Sequence, residues 1–266
     1  MRLRLERTPR FVSLSLFSLS LSFPLSPILT PRFILVQRIL DIGTGTGIWA
    51  IDVADAFPSA RVIGTDISPT QPAWAPANVD FQIDDANLEW TFPENSFDFI
   101  HIRYLHGAIS DWGAFYKQVY KTLKPGGWFQ HLEPNIELRV GNPSLKFGEG
   151  HVYHQWAKLF YNAGDKIGRT FRISEEIMTG WATQAGFLAE NLTHKKFVLP
   201  HGPWPKDKRL KEIGMFTRLY MNMSLDGFAL FPIGQILGWT LEEVQDLVGK
   251  MRGAINDLNN RTNSDM

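Results

Sequence analysis

A glycine-rich turn is the sequence feature that most constrains how this chain folds. The segment DIGTGTG, residues 41–47, ends a short apolar run from Arg38 to Ile42 and precedes a run from Ile48 to Phe57 with apolar residues at helical intervals. Glycine permits a tight turn and lets a ligand lie against bare backbone. A strand, a glycine turn and a helix in this order predict a mostly parallel sheet with a ligand site at its strand ends.

Strand and helix patterns alternate along the rest of the chain. The later predicted strands are Arg61 to Thr65, Val79 to Ile83, Phe97 to Ile102, Trp128 to Leu132 and a sixth around Phe187 to Leu199. Helices are predicted from Ala114 to Leu123, from Ser174 to Ala185 and again after Pro205. This alternation predicts an α/β fold of the Rossmann-like, three-layer kind, with a mostly parallel sheet of about six strands and extra C-terminal helices.

Composition excludes several kinds of site. The chain has 27 Lys plus Arg and 27 Asp plus Glu, so no net charge attracts it to nucleic acid or anionic lipid. It has no cysteine, which excludes disulfides and thiolate ligands. His151 and His154 lie one helical turn apart, but no third ligand is placed by spacing, so we predict no metal site. No apolar run reaches the roughly 20 residues that span a bilayer.

The N-terminal segment differs from the rest of the chain. Four arginines precede a Leu/Ser/Phe run from Phe11 to Leu29, whose Leu/Ser alternation gives no helix with a clean apolar face. A secretory signal, an organelle presequence and a tail without a folded role stay open as interpretations. We predict an atypical tail at 1–36 and one domain at 37–266, with a covering insertion at about 140–172 and a helical segment at about 206–258. Without a targeting signal, the location is cytoplasmic or nuclear.

The glycine spacing indicates which cofactor the turn binds. A dinucleotide fingerprint places its third glycine at the sixth position counted from Gly43, but Ile48 stands there. This spacing disfavours NAD and favours S-adenosylmethionine, which has no pyrophosphate. Asp41, Asp66 and Asp85 lie at or just after three predicted strands, where open α/β sheets bind ligands. Each aspartate alone would more often be a loop cap, but the three together predict a cofactor site.

Four segments carry a resemblance to a known family: DIGTGTGIWAIDVADAFP, GTDISPTQPAWAPANVDFQIDDA, SFDFIHIRYLHGAISDW and LKPGGWFQHLEP. They resemble the LaeA-like fungal methyltransferases, a branch of the class I methyltransferase fold, over residues 38 to about 253. The loop with Gln71, Pro72, Trp74 and Pro76 is more distinctive than the glycines. The resemblance implies the class I fold and S-adenosylmethionine as the cofactor.

The resemblance also assigns cofactor-binding roles. Asp41, Gly43, Gly45 and Gly47 would form the first cofactor motif, and Asp66 would bind ribose, with Ile67 beside it. Asp85 and Ala86 would flank adenine, and Arg103 and Tyr104 would border the methionine end and the acceptor.

Two departures from the family pattern concern the ends of the sheet. Members carry a helical segment before the first strand and a seventh, antiparallel strand between strands five and six. Here the Leu/Ser run stands where the helical segment would lie, and polar sequence at Asn263 to Met266 stands where the seventh strand would begin. We therefore expect strand five to expose an edge, strand six to lose a neighbour, and the chain to be less stable than a complete member.

Methyl transfer asks little of side chains, because positioning two reactants supplies up to roughly 7 to 11 kcal/mol. A base is needed only for a poorly nucleophilic acceptor. His106, just after the fourth predicted strand, is the candidate base, and a structural histidine is the alternative. His131 and Glu133 alternate on the fifth predicted strand, so they share one face and are expected to contact each other.

We predict S-adenosylmethionine-dependent methyl transfer to a small-molecule acceptor of the secondary-metabolite type. Three alternatives stay open: a protein acceptor, a regulatory or cofactor-binding protein that acts with a protein partner and without robust turnover, and an inactive truncated fragment. No nucleic-acid partner is expected.

Overall fold

The glycine turn lies in the middle of a parallel sheet. The computed structural model describes the backbone of residues 10–14 and all of residues 36–266. Within this part of the chain, seven strands form the larger sheet: β1 Arg10–Leu14, β2 Arg38–Ile42, β3 Arg61–Asp66, β4 Val79–Ile83, β5 Phe97–Arg103, β6 Leu123–Leu132 and β7 Leu192–Lys195. Their order is β4-β3-β2-β5-β6-β1-β7, and all neighbours are parallel. Strands are added on both sides of β2, so its carboxyl end is the switch point where such sheets bind ligands.

Helices and a second, smaller sheet complete the described residues. The α-helices are α1 Ile48–Ala56, α2 Trp112–Thr122, α3 Val152–Ile167, α4 Glu175–Ala185, α5 Lys208–Ala229 and α6 Leu241–Asn256. A π-helix follows α5 at Leu230–Ile236, and 3-10 turns occupy Ala189–Asn191 and Leu258–Asn260. The smaller sheet pairs β8 Val198–Pro200 with β9 Asn263–Asp265 in antiparallel orientation.

Side-chain caps fix where several helices begin. The Asp111 carboxylate accepts the Ala114 N–H at the start of α2, and the Ser174 hydroxyl accepts the Ile177 N–H at the start of α4. Thr240 and Glu243 form a reciprocal capping box at the start of α6. Each cap satisfies a backbone donor that has no partner within its helix, a contribution of about 1 kcal/mol.

The described residues divide into two compact units. The first comprises residues 10–14, 36–105, 109–133 and 174–195, and the second comprises 106–108, 134–173 and 196–266. In the first unit, Trp49, Ala50 and Val53 of α1 pack with Ile39 and Val62 of the sheet. Apolar burial of this kind is the main stabilising term for a sheet covered by helices.

The second unit has its own helical core. Tyr153, Trp156 and Phe160 of α3 pack with residues of α5, the π-helix and α6, among them Leu225 and Met251. The core residues recur every three or four positions along α3, as expected of a helix that buries one stripe. The predicted helical segment at about 206–258 contains α5 and α6, and the predicted insertion at about 140–172 contains α3.

The predicted Rossmann-like α/β class is confirmed. The first four predicted strands agree with β2 to β5 to within one residue, and the predicted helix ending at Ala185 corresponds to α4. The fifth strand begins at Leu123, earlier than predicted. Lys124, Pro125 and the two following glycines belong to this strand and do not separate it from α2. The sixth predicted strand is divided between β7 and β8, which belong to different sheets.

The expectation of an exposed edge on strand five is corrected. In β1, residues 10–13 pair in parallel with β6 on one side and residues 11–14 pair in parallel with β7 on the other. The place of the seventh strand is thus filled by N-terminal backbone, which the Leu/Ser composition did not indicate. The other residues of the predicted tail, 1–9 and 15–35, lie outside the described part of the chain.

The expectation that residues 263–266 form no strand is also corrected. Residues 262–266 are buried, and Asn263 exchanges backbone hydrogen bonds with Arg139 while Met266 exchanges them with Phe197. Asp265 forms ion pairs with Arg139 and Lys196. This strand was not predicted from the sequence, because backbone and polar side-chain contacts hold it in place and its residues show no apolar alternation.

His201 lies against this polar strand inside the second unit. Its Nε2 is 2.9 Å from the Ser264 hydroxyl, and its Nδ1 has no hydrogen-bond partner among the described residues. Burial lowers the pKa of His201 from 6.5 to about 4. The folded chain therefore keeps this imidazole neutral at pH values where the unfolded chain binds a proton.

We predict that His201→Gln flattens the acid dependence of stability. Between pH 7.5 and pH 5 the unfolded state takes up a proton at this site and the folded state does not, so His201 removes about 2 kcal/mol from the unfolding free energy. Glutamine keeps an amide donor for Ser264 and cannot titrate. Urea unfolding of both proteins at the two pH values measures the difference. An equal loss of stability in wild type and variant would contradict the assignment.

Candidate active site

Three glycines at positive φ shape the turn between β2 and α1. Gly43, Gly45 and Gly47 have φ values of 69°, 57° and 77°. A Cβ on Gly43 would lie 2.5 Å from Leu105 Cδ2, and one on Gly47 would lie 2.3 Å from Phe81 Cζ. A Cβ on Gly45 would meet nothing within 4 Å. Packing therefore requires the outer two glycines, whereas the middle one faces open space.

Asp66, the last residue of β3, joins the glycine turn to the next loop. Its Oδ2 accepts the Gly45 N–H at 2.8 Å, and its Oδ1 accepts the Ser68 N–H at 2.9 Å. The parallel register of β2 and β3 places the two strand ends side by side, which makes the contact between residues 45 and 66 geometrically accessible. A carboxylate has about four acceptor positions, so hydroxyl groups of a ligand still find lone pairs on Asp66.

The loop after Asp66 also holds the carbonyl group of Gly45. The Gly45 carbonyl accepts the Gln71 side-chain N–H at 2.6 Å and the Thr70 hydroxyl at 3.0 Å. The same Gln71 amide also reaches the Ser68 carbonyl at 3.0 Å. We call residues 66–71 the clamp loop.

Asp41 lies beneath the turn, with 3% of its surface exposed. Its Oδ2 accepts the Thr44 hydroxyl at 2.6 Å. Burial raises the pKa of Asp41 to about 7, although the Thr44 hydrogen bond and the positive charge of Arg103 oppose the shift. A carboxyl group with this pKa changes its charge near neutral pH and responds to any cation bound nearby.

Two more predicted site residues, Asp85 and Ala86, follow the end of β4, which lies beside the end of β3. The Asp84 N–H donates to the Asp66 carbonyl at 3.0 Å. Asp85 accepts both the backbone and the side-chain N–H of Asn87 at 2.9 Å, and the Ala86 carbonyl accepts the Trp90 indole N–H at 3.3 Å. The Ile67 side chain is 68% exposed at the same edge of the sheet.

A buried polar chain fixes the end of β5. Tyr104 has a positive φ of 59°, and the next backbone N–H, that of Leu105, donates to Glu133 Oε1 at 2.6 Å. His131 Nε2 lies 3.3 Å from the same oxygen, and His131 Nδ1 lies 2.6 Å from the Tyr116 hydroxyl. Burial raises the pKa of Tyr116, so the phenol keeps its proton. Because the Glu133 carboxylate can only accept, the imidazole donates from Nε2 to Glu133 and its Nδ1 accepts the Tyr116 hydroxyl. The predicted contact between His131 and Glu133 is present.

His106 lies in the second unit, with residues 107 and 108. Its ring meets Phe171 edge-to-face, with 5.7 Å between the ring centroids. The Gly107 N–H donates to the Thr170 carbonyl at 2.9 Å, so backbone pairing and ring packing both hold this short segment within its unit. The role of His106 as a base stays a prediction.

The structure thus brings the predicted cofactor residues to the carboxyl ends of neighbouring strands in the first unit. These residues are Asp41, Gly43, Gly45, Gly47, Asp66, Ile67, Asp85, Ala86, Arg103 and Tyr104. Sequence reasoning noticed Gln71 as part of a distinctive loop and gave it no role, and it did not link Glu133 to Leu105. The one sequence signal that could have identified Gln71 is its side-chain amide in the loop directly after a strand end.

These residues fit S-adenosylmethionine. The open side of Gly45 is a cradle that a Cβ would fill, so a ligand can approach the backbone there. The Asp66 carboxylate borders this cradle, and the Ile67 side chain beside it is exposed. The described residues contain no group of three or more His, Asp or Glu side chains arranged to hold a metal ion, and none of their helices is long and apolar enough to cross a membrane.

Comparison with known proteins agrees with this geometry. The chain is 41% identical to the methyltransferase pytC of Aspergillus terreus over 209 residues, which cover 78% of this chain and 63% of pytC. It is 34% identical to the secondary metabolism regulator laeA of Monascus pilosus over 216 residues, covering 81% of this chain and 58% of that protein. It is 31% identical to the protein-methionine methyltransferase laeA of Emericella nidulans, covering 81% and 56%. The chain therefore spans less than two thirds of these relatives.

A family model described as a methyltransferase domain matches residues 18–191. This match covers more than half of the chain and includes the glycine turn, the clamp loop and the ends of β4 to β6. The predicted resemblance is confirmed, and the chain belongs to this methyltransferase-domain family.

Proposed function

We propose that the chain binds S-adenosylmethionine at the carboxyl ends of β2, β3 and β4 and transfers its methyl group to a small-molecule acceptor. The observation that carries the proposal is the Gly45 peptide, which is open on one side and bordered by the Asp66 carboxylate. A bare backbone beside a carboxylate suits an adenosine with two ribose hydroxyls. Family membership supports methyl transfer as the reaction.

When bound, the cofactor supplies an activated methyl group on a positively charged sulfur. The residues of this chain orient and bind: Asp66 accepts ribose hydroxyls, Asp85 and Ala86 border the adenine, and Asp41 stabilises the cationic end. The buried chain from Tyr116 through Glu133 fixes the turn at Tyr104 and Leu105, which keeps Arg103 and Tyr104 in place. Rigid support of this kind favours reaction through positioning.

The acceptor is proposed from the relatives. One relative is named a methyltransferase, which supports methyl transfer, and another is named a secondary metabolism regulator, which supports a role in secondary metabolism. Together these names motivate the proposal of a small-molecule acceptor of the secondary-metabolite type. The name protein-methionine methyltransferase of another relative supports a protein side chain as the second candidate. A regulatory protein that binds the cofactor and does not turn it over is the candidate from another class.

Two measurements on the full chain separate these candidates. Calorimetric titration with S-adenosylmethionine tests cofactor binding, and release of S-adenosylhomocysteine tests turnover with a small-molecule extract or with a protein fraction. Turnover with the extract supports the proposal, whereas turnover with the protein fraction alone supports the second candidate. Binding without turnover supports the regulatory protein. A folded chain that binds no cofactor overturns the proposal.

We predict that Asp66→Ala weakens cofactor binding by roughly 2 to 4 kcal/mol, because ribose hydroxyls lose a charged acceptor. Asp98→Ala is the matched control. Its carboxylate also accepts two backbone N–H groups, from Gln37 and Arg38, but at the amino end of the sheet. Calorimetry on both variants should show the loss of affinity only for Asp66. Equal affinities would remove Asp66 from the site.

We predict that His106→Ala lowers single-turnover rate by roughly 10² to 10⁴, with cofactor affinity nearly unchanged, if the acceptor needs a base. His154→Ala, at an exposed histidine of the same unit, is the control. A structural His106 would instead lower the melting temperature and leave the rate intact. A variant with the wild-type rate ends the proposal of a base.

We predict that cofactor affinity rises with pH through neutrality. Asp41, with a pKa of about 7, is largely neutral at pH 6, and a cationic ligand favours its ionised form. Binding should therefore release a proton, and affinity should fall by up to about tenfold per pH unit below pH 7. Asp41→Asn should bind more weakly and lose the slope between pH 6 and pH 7.5. Calorimetry in buffers of different ionisation enthalpy measures the proton release, and a flat wild-type profile would contradict it.

A further inference from the structure

The Gly45 peptide is held by polar contacts rather than by packing. Gly43 faces Leu105 and Gly47 faces Phe81, so apolar side chains fix the orientation of both outer glycines. Gly45 has no neighbour on its open side within 4 Å of a Cβ position. Because glycine has the widest choice of φ and ψ, a glycine peptide without packing needs another constraint to keep one orientation.

The clamp loop supplies that constraint on both backbone polar groups of Gly45. The Gly45 N–H donates to Asp66, and the Gly45 carbonyl accepts from Thr70 and Gln71. The contact from Gln71 Nε2, at 2.6 Å, is the shortest of the three. The Gly45 N–H and C=O belong to the two peptide planes that meet at the Gly45 Cα, so these contacts fix both planes, and neither can rotate without losing a hydrogen bond.

Gln71 is itself fixed in place. Its amide also reaches the Ser68 carbonyl, so one side-chain nitrogen joins the glycine turn to the clamp loop. Pro72 follows directly and disfavours helical backbone at Gln71. The Thr70 N–H donates to the Ser68 carbonyl at 2.9 Å, which tightens the loop between them. Gln71 is half-buried, so its hydrogen bonds compete less with water than those of an exposed side chain.

We infer that Gln71 is a positioning residue that orients the Gly45 peptide for the cofactor, an inference that rests on the proposed function. It acts through Gly45 and Asp66, which touch the ligand, and needs no contact with the ligand itself. Without the Gln71 donor, Thr70 alone holds the Gly45 carbonyl and the clamp loop is tied less firmly to the glycine turn, so the hydrogen bond between the Gly45 N–H and Asp66 opens more often. The same groups must then be ordered when the cofactor binds, which lowers affinity.

The test compares three variants with wild type. Gln71→Ala removes the donor, and Gln71→Glu keeps the size and places a carboxylate against two carbonyl oxygens. Asn78→Ala is the matched control, because the Asn78 amide also bridges backbone carbonyls, those of Ala54, Phe57 and Ala60, before β4 at the amino end of the sheet. The readouts are melting temperature, the dissociation constant of S-adenosylmethionine, and amide hydrogen exchange at Gly45 in the ligand-free chain.

We expect Gln71→Ala to weaken cofactor binding by about tenfold, since two hydrogen bonds of modest net strength are lost, and Gln71→Glu to weaken it further. Exchange at the Gly45 amide should accelerate in both variants by at least the same factor. Asn78→Ala should lower the melting temperature and leave affinity and Gly45 exchange unchanged.

The exchange measurement keeps this inference distinct from the proposed function. If wild type binds no cofactor, the proposed function is overturned, and with it any role of Gln71 in binding. Fast exchange at Gly45 in Gln71→Ala would still support the inference that Gln71 orients the Gly45 backbone. If wild type binds and Gln71→Ala shows wild-type affinity and wild-type exchange at Gly45, the inference is overturned. A lower melting temperature shared with Asn78→Ala does not rescue the inference, because a merely structural side chain produces the same effect.

Discussion

The parallel pairing of β2 with β3 is the constraint on which the candidate site depends. Five successive residue pairs, from Arg38 with Arg61 to Ile42 with Thr65, bring the two strands to the same edge of the sheet. β2 then continues into the glycine turn and β3 ends at Asp66, so the Gly45 N–H donates to Asp66 Oδ2 at 2.8 Å. A shift of one residue in this register would move Asp66 away from Gly45 and reverse the faces of β3.

Much of the fold was predictable because its signals are local. The apolar runs of β2 to β5 and the glycines at 43, 45 and 47 follow from backbone preferences that a short window contains. The corrections at β1 and β9 concern strands without such local signals. β1 is placed by pairing with β6 and β7, which are remote in sequence, and β9 is a polar segment held by backbone exchange with Arg139 and Phe197.

The candidate site was predictable to a different extent. The acidic residues at strand ends could be found from the sequence, because topology brings strand ends together. The roles of Gln71 and Glu133 could not, because each depends on which backbone group lies within hydrogen-bond distance of one side-chain atom. Sequence patterns report which face a residue occupies, whereas they do not report the partner of its oxygen or nitrogen.

The division into two units has a consequence for how the chain is made. Neither unit is a continuous stretch: residues 134–173 of the second unit precede residues 174–195 of the first, and residues 106–108 interrupt it. During synthesis the first unit cannot acquire β7 until the ribosome has already made α3 of the second, and the second cannot pair β8 with β9 until residues 263–265 emerge. Pairing between segments remote in sequence carries a loop-closure cost and slows folding. No single cut between two residues would therefore release either unit whole.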